Sequence, residues 1–243
     1  MKMPTIRGLI DRRVLVNFRV APDALRQILP APFRPQLVDG FGIAGICLIR
    51  LKHARPKGSP SLVGLTSENA AHRIAVEWDA GGKVRCGVFV PRRDTSSAFN
   101  VLLGGRLFAG VYHRAHFDVS ETEDKFDISM QSLDHSTRVS VKGKIAPQLP
   151  QSSIFPSIVD VSNFFESGSL GYSPQTSPER YDGMELKCFS WHLEPLEVTE
   201  VESTFFDDAR VFAPGSITFD NALLMRNIEH EWHCREPLNC VDC

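Results

Sequence analysis

The sequence predicts an α+β fold built mainly from antiparallel strands, and three observations carry that expectation. Segments alternating with a period of two recur along the chain, among them VLVNFRV (14–20), HRIAVEWD (72–79), KVRCGVFV (83–90), KFDISMQ and TRVSVKGKI. Stretches with helical periodicity are few and short. No internal repeat and no linker divides the 243 residues, so one domain over 1–243 is expected.

The elements follow in chain order. VLVNFRV sets Val14, Val16, Phe18 and Val20 on one face against Leu15, Asn17 and Arg19 on the other. APDALRQILPAPF reads as a helix of about two turns, with Pro22 in the first turn, an apolar stripe of Leu25, Ile28 and Leu29, and Pro30 and Pro32 as stops. FGIAGICLIRL (41–51) is apolar on both faces as far as Arg50, the pattern of a strand covered on both sides. The two strands 72–79 and 83–90 meet at Ala80-Gly81-Gly82 as a hairpin. Asp94, Thr95 or Ser96 caps a helix that runs to Leu103 and ends at Gly104 in the left-handed conformation. A strand over 107–119 follows, then a hairpin around LDHS with one wet face. FPSIVDVSNFFESGS is a helix starting near Phe155 with Gly168 as its stop, and GYSPQTSPERYDG is a loop. KCFSWHLEPLEVTEVES gives a further strand pair, which Pro195 confines to an edge or a break. A short helix at Asp220–Arg226 precedes a C-terminal tail, 229–243.

Composition excludes several function classes. Hydrophobic residues make up 42% and charged residues 23%, an ordinary globular balance. The formal net charge is −2 and no block of like charge occurs, so nucleic acid is not an expected partner. No apolar run reaches signal-peptide or membrane-span length, which points to a cytoplasmic protein without a membrane partner. The six cysteines, at 47, 86, 188, 234, 240 and 243, are too scattered for a disulfide scaffold and read as thiols. Phosphate-loop and serine-hydrolase motifs are absent, and no cofactor is expected.

Chemistry concentrates in GGRLFAGVYHRAHFD, residues 104–118. A two-residue period puts Leu107, Val111, His113, Ala115, Phe117 and Val119 on one face, so His113 is a titratable ring in an apolar row. It is either a core histidine satisfied by one hydrogen bond or a pocket acid–base group tuned by apolar walls. Arg106, Arg114 and His116 lie opposite, on a solvated face or beside a pocket. Arg92 and Arg93, ahead of the capped helix, are a solvated loop or an anion-binding lip. The tail carries His230, His233, Cys234, Cys240 and Cys243, weak candidates for zinc because their spacing matches no standard finger.

NFRVAPDALRQILPAPF and GGRLFAGVYHR resemble the acetoacetate decarboxylase superfamily over residues 13 to about 118. SENAAHR, GVFVPRRDTSSAFNVLLGGRLFAGVYHRA and FFESGSLGYSP are similar to its YqjF-like branch, a domain of unknown function. The resemblance implies a strongly bent sheet or partial barrel, with short helices, enclosing a pocket. In the decarboxylases the Gly-Arg strand ends in a Lys-Lys pair whose first lysine is the Schiff-base nucleophile. Here the matching positions hold His113 and Arg114, which cannot support imine chemistry. The resemblance therefore implies His113 and Glu68 as an acid–base pair, with Arg114, Arg106, Arg19, Asn69 and Arg93 binding a ligand. Arginine forks suit a planar carboxylate, so a small-molecule carboxylate is the expected partner. Two function classes compete: an acid–base enzyme acting on a small oxo- or hydroxy-acid, and a non-catalytic small-molecule binder. A metal-dependent module built on the tail is a third, and a homo-oligomer is one candidate assembly.

Overall fold

A computed structural model describes residues 4–60, 62, 64–105, 108–177 and 179–239. Among the described residues thirteen strands form one sheet: β1 (Ile6–Val20), β2 (Arg34–Pro35), β3 (Leu37–Val38), β4 (Phe41–Pro56), β5 (Leu65–Ala80), β6 (Lys83–Thr95), β7 (His113–Glu121), β8 (Lys125–Ser132), β9 (Arg138–Ile145), β10 (Leu170–Pro174), β11 (Arg180–Cys188), β12 (Glu194–Ser203) and β13 (Ile217–Asn239). Among the described residues three short helices interrupt them: α1 (Pro22–Arg26), α2 (Ala98–Leu103) and α3 (Ile158–Ser167). The fold is α+β and mainly antiparallel, as the alternation in the sequence predicts; β6–β10 and β6–β7 pair in parallel.

The pairing closes on itself twice. One circuit runs β13-β1-β4-β5-β6-β10-β11 and returns to β13; the other runs β13-β1-β4-β5-β6-β7-β8-β9-β12 and returns to β13. The sheet is thus ring-like without being a regular barrel, and each circuit surrounds its own apolar interior. On β1, Val14, Val16, Phe18 and Val20 enter the core lined by β7, β8, β9 and β12, while Leu15 enters the core under α3. On β4, Ala44, Ile46 and Leu48 go one way and Ile43, Cys47, Ile49 and Leu51 the other. Period-two geometry makes this division automatic for a strand apolar on both faces. Phe33 plugs one end of the larger core, its ring 5.5 to 5.9 Å from those of Trp78, Phe89, Tyr172 and Tyr181.

Several elements differ from the sequence expectation. Residues 220–226 are strand, because an apolar run buried on both sides reads as a helix or a strand alike. Ala222 and Leu224 face one core and Leu223 and Met225 the other. The expected tail continues that strand: Trp232 pairs with Ile6 and with Leu186, and the β11–β13 ladder closes the smaller circuit. Within the segment expected as a loop, Gly171–Pro174 pair with Tyr181–Met184 as strands β10 and β11. The strand expected over 107–119 begins only at His113, while Gly110 adopts φ +81° and packs against Ser173. A β-carbon on Gly110 would lie 2.5 Å from that of Ser173, so both the turn and the approach require glycine. α2 is capped by Ser97, one residue beyond the expected caps, since its hydroxyl accepts from Asn100 N. Gly104 is not left-handed (φ −54°); Gly105 takes that conformation at +72°. α1 spans five residues, shorter than the expected two turns.

Two buried histidines belong to the frame. His72 is fully buried, its Nε2 3.1 Å from Ser203 Oγ and its ring 4.7 Å from that of Phe205; burial, with Arg92 adding to it, pushes its pKa down to about 3. His230 is buried against Trp232 and pushed down to about 4, again mainly by burial.

Deleting residues 230–243 is expected to cost more than about 4 kcal/mol in denaturant unfolding, because it opens the smaller circuit; a frayed tail would leave the midpoint unchanged. The histidines set an acid limit. A histidine whose pKa is lower folded than unfolded binds protons better unfolded, so its stabilisation is complete above about pH 6.5 and drains as pH falls toward the folded value. Stability should fall between about pH 6.5 and 4 by up to about 1.4 kcal/mol per pH unit for each such group. His72→Phe should lower that slope, and an unchanged slope in unfolding curves across the range would contradict the assignment.

Candidate functional site: a cationic cavity in the smaller circuit

The alternation of β5 builds one wall of a cavity. Ser67, Asn69, Ala71 and Arg73 line it at every second position, with the small side chain of Ala70 at its margin, whereas Glu68 and His72 point elsewhere. The register between β5 and β6 shifts between His72 and Ile74, so Arg73 sits at an irregularity of the ladder, the kind of feature that re-aims a side chain. β1 adds Arg13, β4 adds Cys47 and Ile49, β6 adds Arg93, and α2 adds Asn100. Phe165, Trp191 and Trp232 supply aromatic walls. About 140 Å³ is open to water-sized molecules, well below the ~300–1,000 Å³ of drug-sized pockets, so a ligand of a few non-hydrogen atoms fits.

The cavity is cationic and its cations are uncompensated. Among the described residues no carboxylate lies within ion-pairing distance of Arg13, Arg73 or Arg93. Arg13 donates from Nε to Cys47 Sγ at 3.2 Å and from Nη1 to Met225 Sδ at 3.7 Å, both weak acceptors. Arg93 donates to Ser173 Oγ at 3.0 Å and lies 5.7 Å from the Tyr112 ring centre. Arg73 is 4% exposed, stacks 4.5 Å from the centre of the Phe165 ring and donates to Asn17 Oδ1, while its Nε has no partner. Burial, with Arg13 pressing the same way, lowers its pKa to about 10, which still leaves it charged near neutrality. A chain of amides continues from it: Asn17 donates to Asn221 at 2.7 Å and Asn221 to the buried Asp220 at 2.6 Å. The charge of Arg73 is thus linked to Asp220 only through two neutral amides, with no carboxylate beside it among the described residues.

The sequence-predicted residues divide. Asn69 and Arg93 line the cavity. Asn69 is fully engaged with Ser67, the carbonyl of Ile49, Thr95 and Asn100, so it shapes the wall. Arg92 and Arg93 belong to β6, not to a loop, and Arg92 pairs with Asp94, whose carboxyl burial pushes upward against that arginine's pull. His113 does not line the cavity; it is half-buried, with Nδ1 3.5 Å from Asp134 Oδ2. Glu68 pairs with Arg12 at 2.5 Å and with Arg50, in a network that includes Glu121. The structure therefore does not bring His113 and Glu68 together at the cavity. Arg114 is exposed, and Arg19 donates to the carbonyl of Ser152 and lies 3.7 Å from Asp220. Arg106, Cys240 and Cys243 lie outside the described residues. Among the described residues no three His, Cys, Asp or Glu side chains are grouped to hold a metal. His233 contacts Glu231 at 3.1 Å, and Cys234 faces its own neighbour's carbonyl.

Arg13, Arg73 and Cys47 were not selected from the sequence. The signal for Arg73 was present: it interrupts HRIAVEW, an otherwise apolar strand, just as His113 interrupts its own segment. Arg13 carries no comparable signal, since IDRR reads as a charged run ahead of the apolar segment that begins at Val14.

Among the described residues no helix is long and apolar enough to cross a membrane. The fold is shared with solved enzymes. The enduracididine biosynthesis enzyme MppR complexed with pyruvate superposes with a TM-score of 0.63 at 15% identity, covering 100% of this chain and 92% of that one. Acetoacetate decarboxylase from Legionella pneumophila gives 0.61 at 10% identity, covering 97% and 88%. An acetoacetate decarboxylase-like enzyme from Sphingomonas wittichii RW1 gives 0.59 at 12%, covering 98% and 93%. No curated protein matches the sequence. The family model DUF2071, described as "Uncharacterized conserved protein (COG2071)", matches residues 10–221. On an acetoacetate decarboxylase-like fold, the chain belongs to the DUF2071 family.

Proposed function

We propose that the protein binds a small organic anion, a carboxylate of a few carbon atoms, in the cavity of the smaller circuit. The observation that carries this reading is the buried guanidinium of Arg73, without a carboxylate partner among the described residues and with its Nε unsatisfied, in the wall of a space large enough for a small ligand. A buried charge without a counter-ion costs several kcal/mol, and an entering carboxylate removes that cost while gaining charge-assisted bonds. Arg13 and Arg93 add to the attraction, and the aromatic and aliphatic walls suit a short apolar tail. The pyruvate in the MppR complex shows that a relative in fold accepts a ligand of this size and charge. The described lining contains no lysine, histidine or carboxylate, so imine formation has no amine there and proton transfer by His113 and Glu68 has no direct path to the ligand. Binding by arginine is therefore favoured over acid–base catalysis by that pair.

Thermal unfolding with acetate, propionate, pyruvate and succinate, each beside its neutral amide, tests the reading. A fitting carboxylate at a hundredfold over its dissociation constant should add about 2.7 kcal/mol, and its amide much less. Arg73→Met and Arg93→Gln should abolish or weaken the difference. Equal response to acid and amide in the wild-type protein would overturn the proposal.

A further inference from the structure

Cys47 stands on β4 at the wall of the cavity, buried, with the Nε of Arg13 donating to its sulfur at 3.2 Å. The β4–β5 register sets it opposite Ala71, between Asn69 and Arg73 in the row that faces the cavity. Arg73, whose Nε lacks a partner, reaches the same space. A sulfur nucleophile and uncompensated cations thus share one wall. None of the other described cysteines lines the cavity: Cys86 lies on β6 near Glu77, Cys188 ends β11 under the influence of Arg13, with burial raising the pKa of both thiols, and Cys234 lies on β13.

Resting on the anion-pocket reading, we propose that Cys47 is the reactive group of this pocket. It adds to the electrophilic carbon of a small carboxylate that the arginines hold beside it. With an acid bearing an aldehyde or ketone, the carbonyl π bond breaks, a carbon–sulfur bond forms, and the thiol proton passes to the carbonyl oxygen. The reverse step returns the thiol and the free acid, and no oxidant or reductant takes part. The cationic wall makes the thiol selective, because it concentrates anionic electrophiles at the sulfur.

Iodoacetate and iodoacetamide test the assignment on the full chain, since they differ little in size and one carries a carboxylate. Each forms a carbon–sulfur bond, expels iodide and releases the thiol proton to solvent. Peptide mass spectrometry reads the rate at every cysteine in the same molecule. The ratio of iodoacetate to iodoacetamide rates at Cys47 should exceed that at Cys86 by at least about tenfold. Propionate should suppress the reaction, and Arg13→Met should bring the ratio toward that of Cys86; Arg93→Gln serves as a second variant should the first fail to fold. A ratio at Cys47 equal to that at Cys86, or no reaction at Cys47 while Cys86 is alkylated, would overturn the proposal. Propionate stabilisation measured on the same sample separates the two failures: with it, the thiol assignment alone falls, and without it the anion pocket falls too.

Discussion

Five strands, β13, β1, β4, β5 and β6, belong to both closed circuits of the sheet, and the rest of the molecule depends on their having two buried faces. Such strands must carry apolar side chains at nearly every position, and each polar side chain placed on them requires a partner inside the protein. β1 and β4 meet the first demand with Val14 through Val16 and Ile43 through Ile49, interrupted mainly by Asn17, Gly42 and Gly45. Asn17 meets the second by bridging Arg73 and Asn221. At the middle of β1 the alternation admits two adjacent charges: Arg12 toward Glu68 and Glu121, and Arg13 toward the cavity.

The two kinds of buried charge have different physical meanings. Arg12, with Glu68 and Glu121 at 2.5 and 2.7 Å, is neutralised within the protein and braces the sheet. Its desolvation is offset by those pairs, although its Nε, like that of Arg73, is buried without a hydrogen-bond partner. Arg13, Arg73 and Arg93 lack that compensation. The same residue type therefore braces the sheet on one face of β1 and stands without a carboxylate partner at the cavity on the other, and the alternation of the strand separates the two.

Legibility in the sequence followed the same physics. Amphipathic strands such as β8 and β9 were plain, because one face is wet and the period of two shows directly. β13 was not, since NALLM buried on both faces carries no period and the sequence does not say which neighbours cover it. Extending the two-residue period back through Gly110 placed a strand where the left-handed glycine turns the chain, and residues 110–112 precede the strand. Of the residues expected at a site, Asn69 and Arg93 line the cavity, but the place of Arg13 there and the lack of a carboxylate beside Arg73 depend on which side chains fold next to them. Glu68 shows the converse: beside Asn69 in sequence, it faces the opposite way and is consumed by Arg12 and Arg50.

The most direct test of the cationic cavity is diffraction from crystals soaked in bromide, a small anion whose anomalous signal marks its position without assumptions about chemistry. A bromide peak inside the cavity, within hydrogen-bonding reach of Arg73 and of Arg13 or Arg93, is the required result. Peaks confined to the outer surface, with the cavity clear of anion at the same bromide concentration, would contradict it.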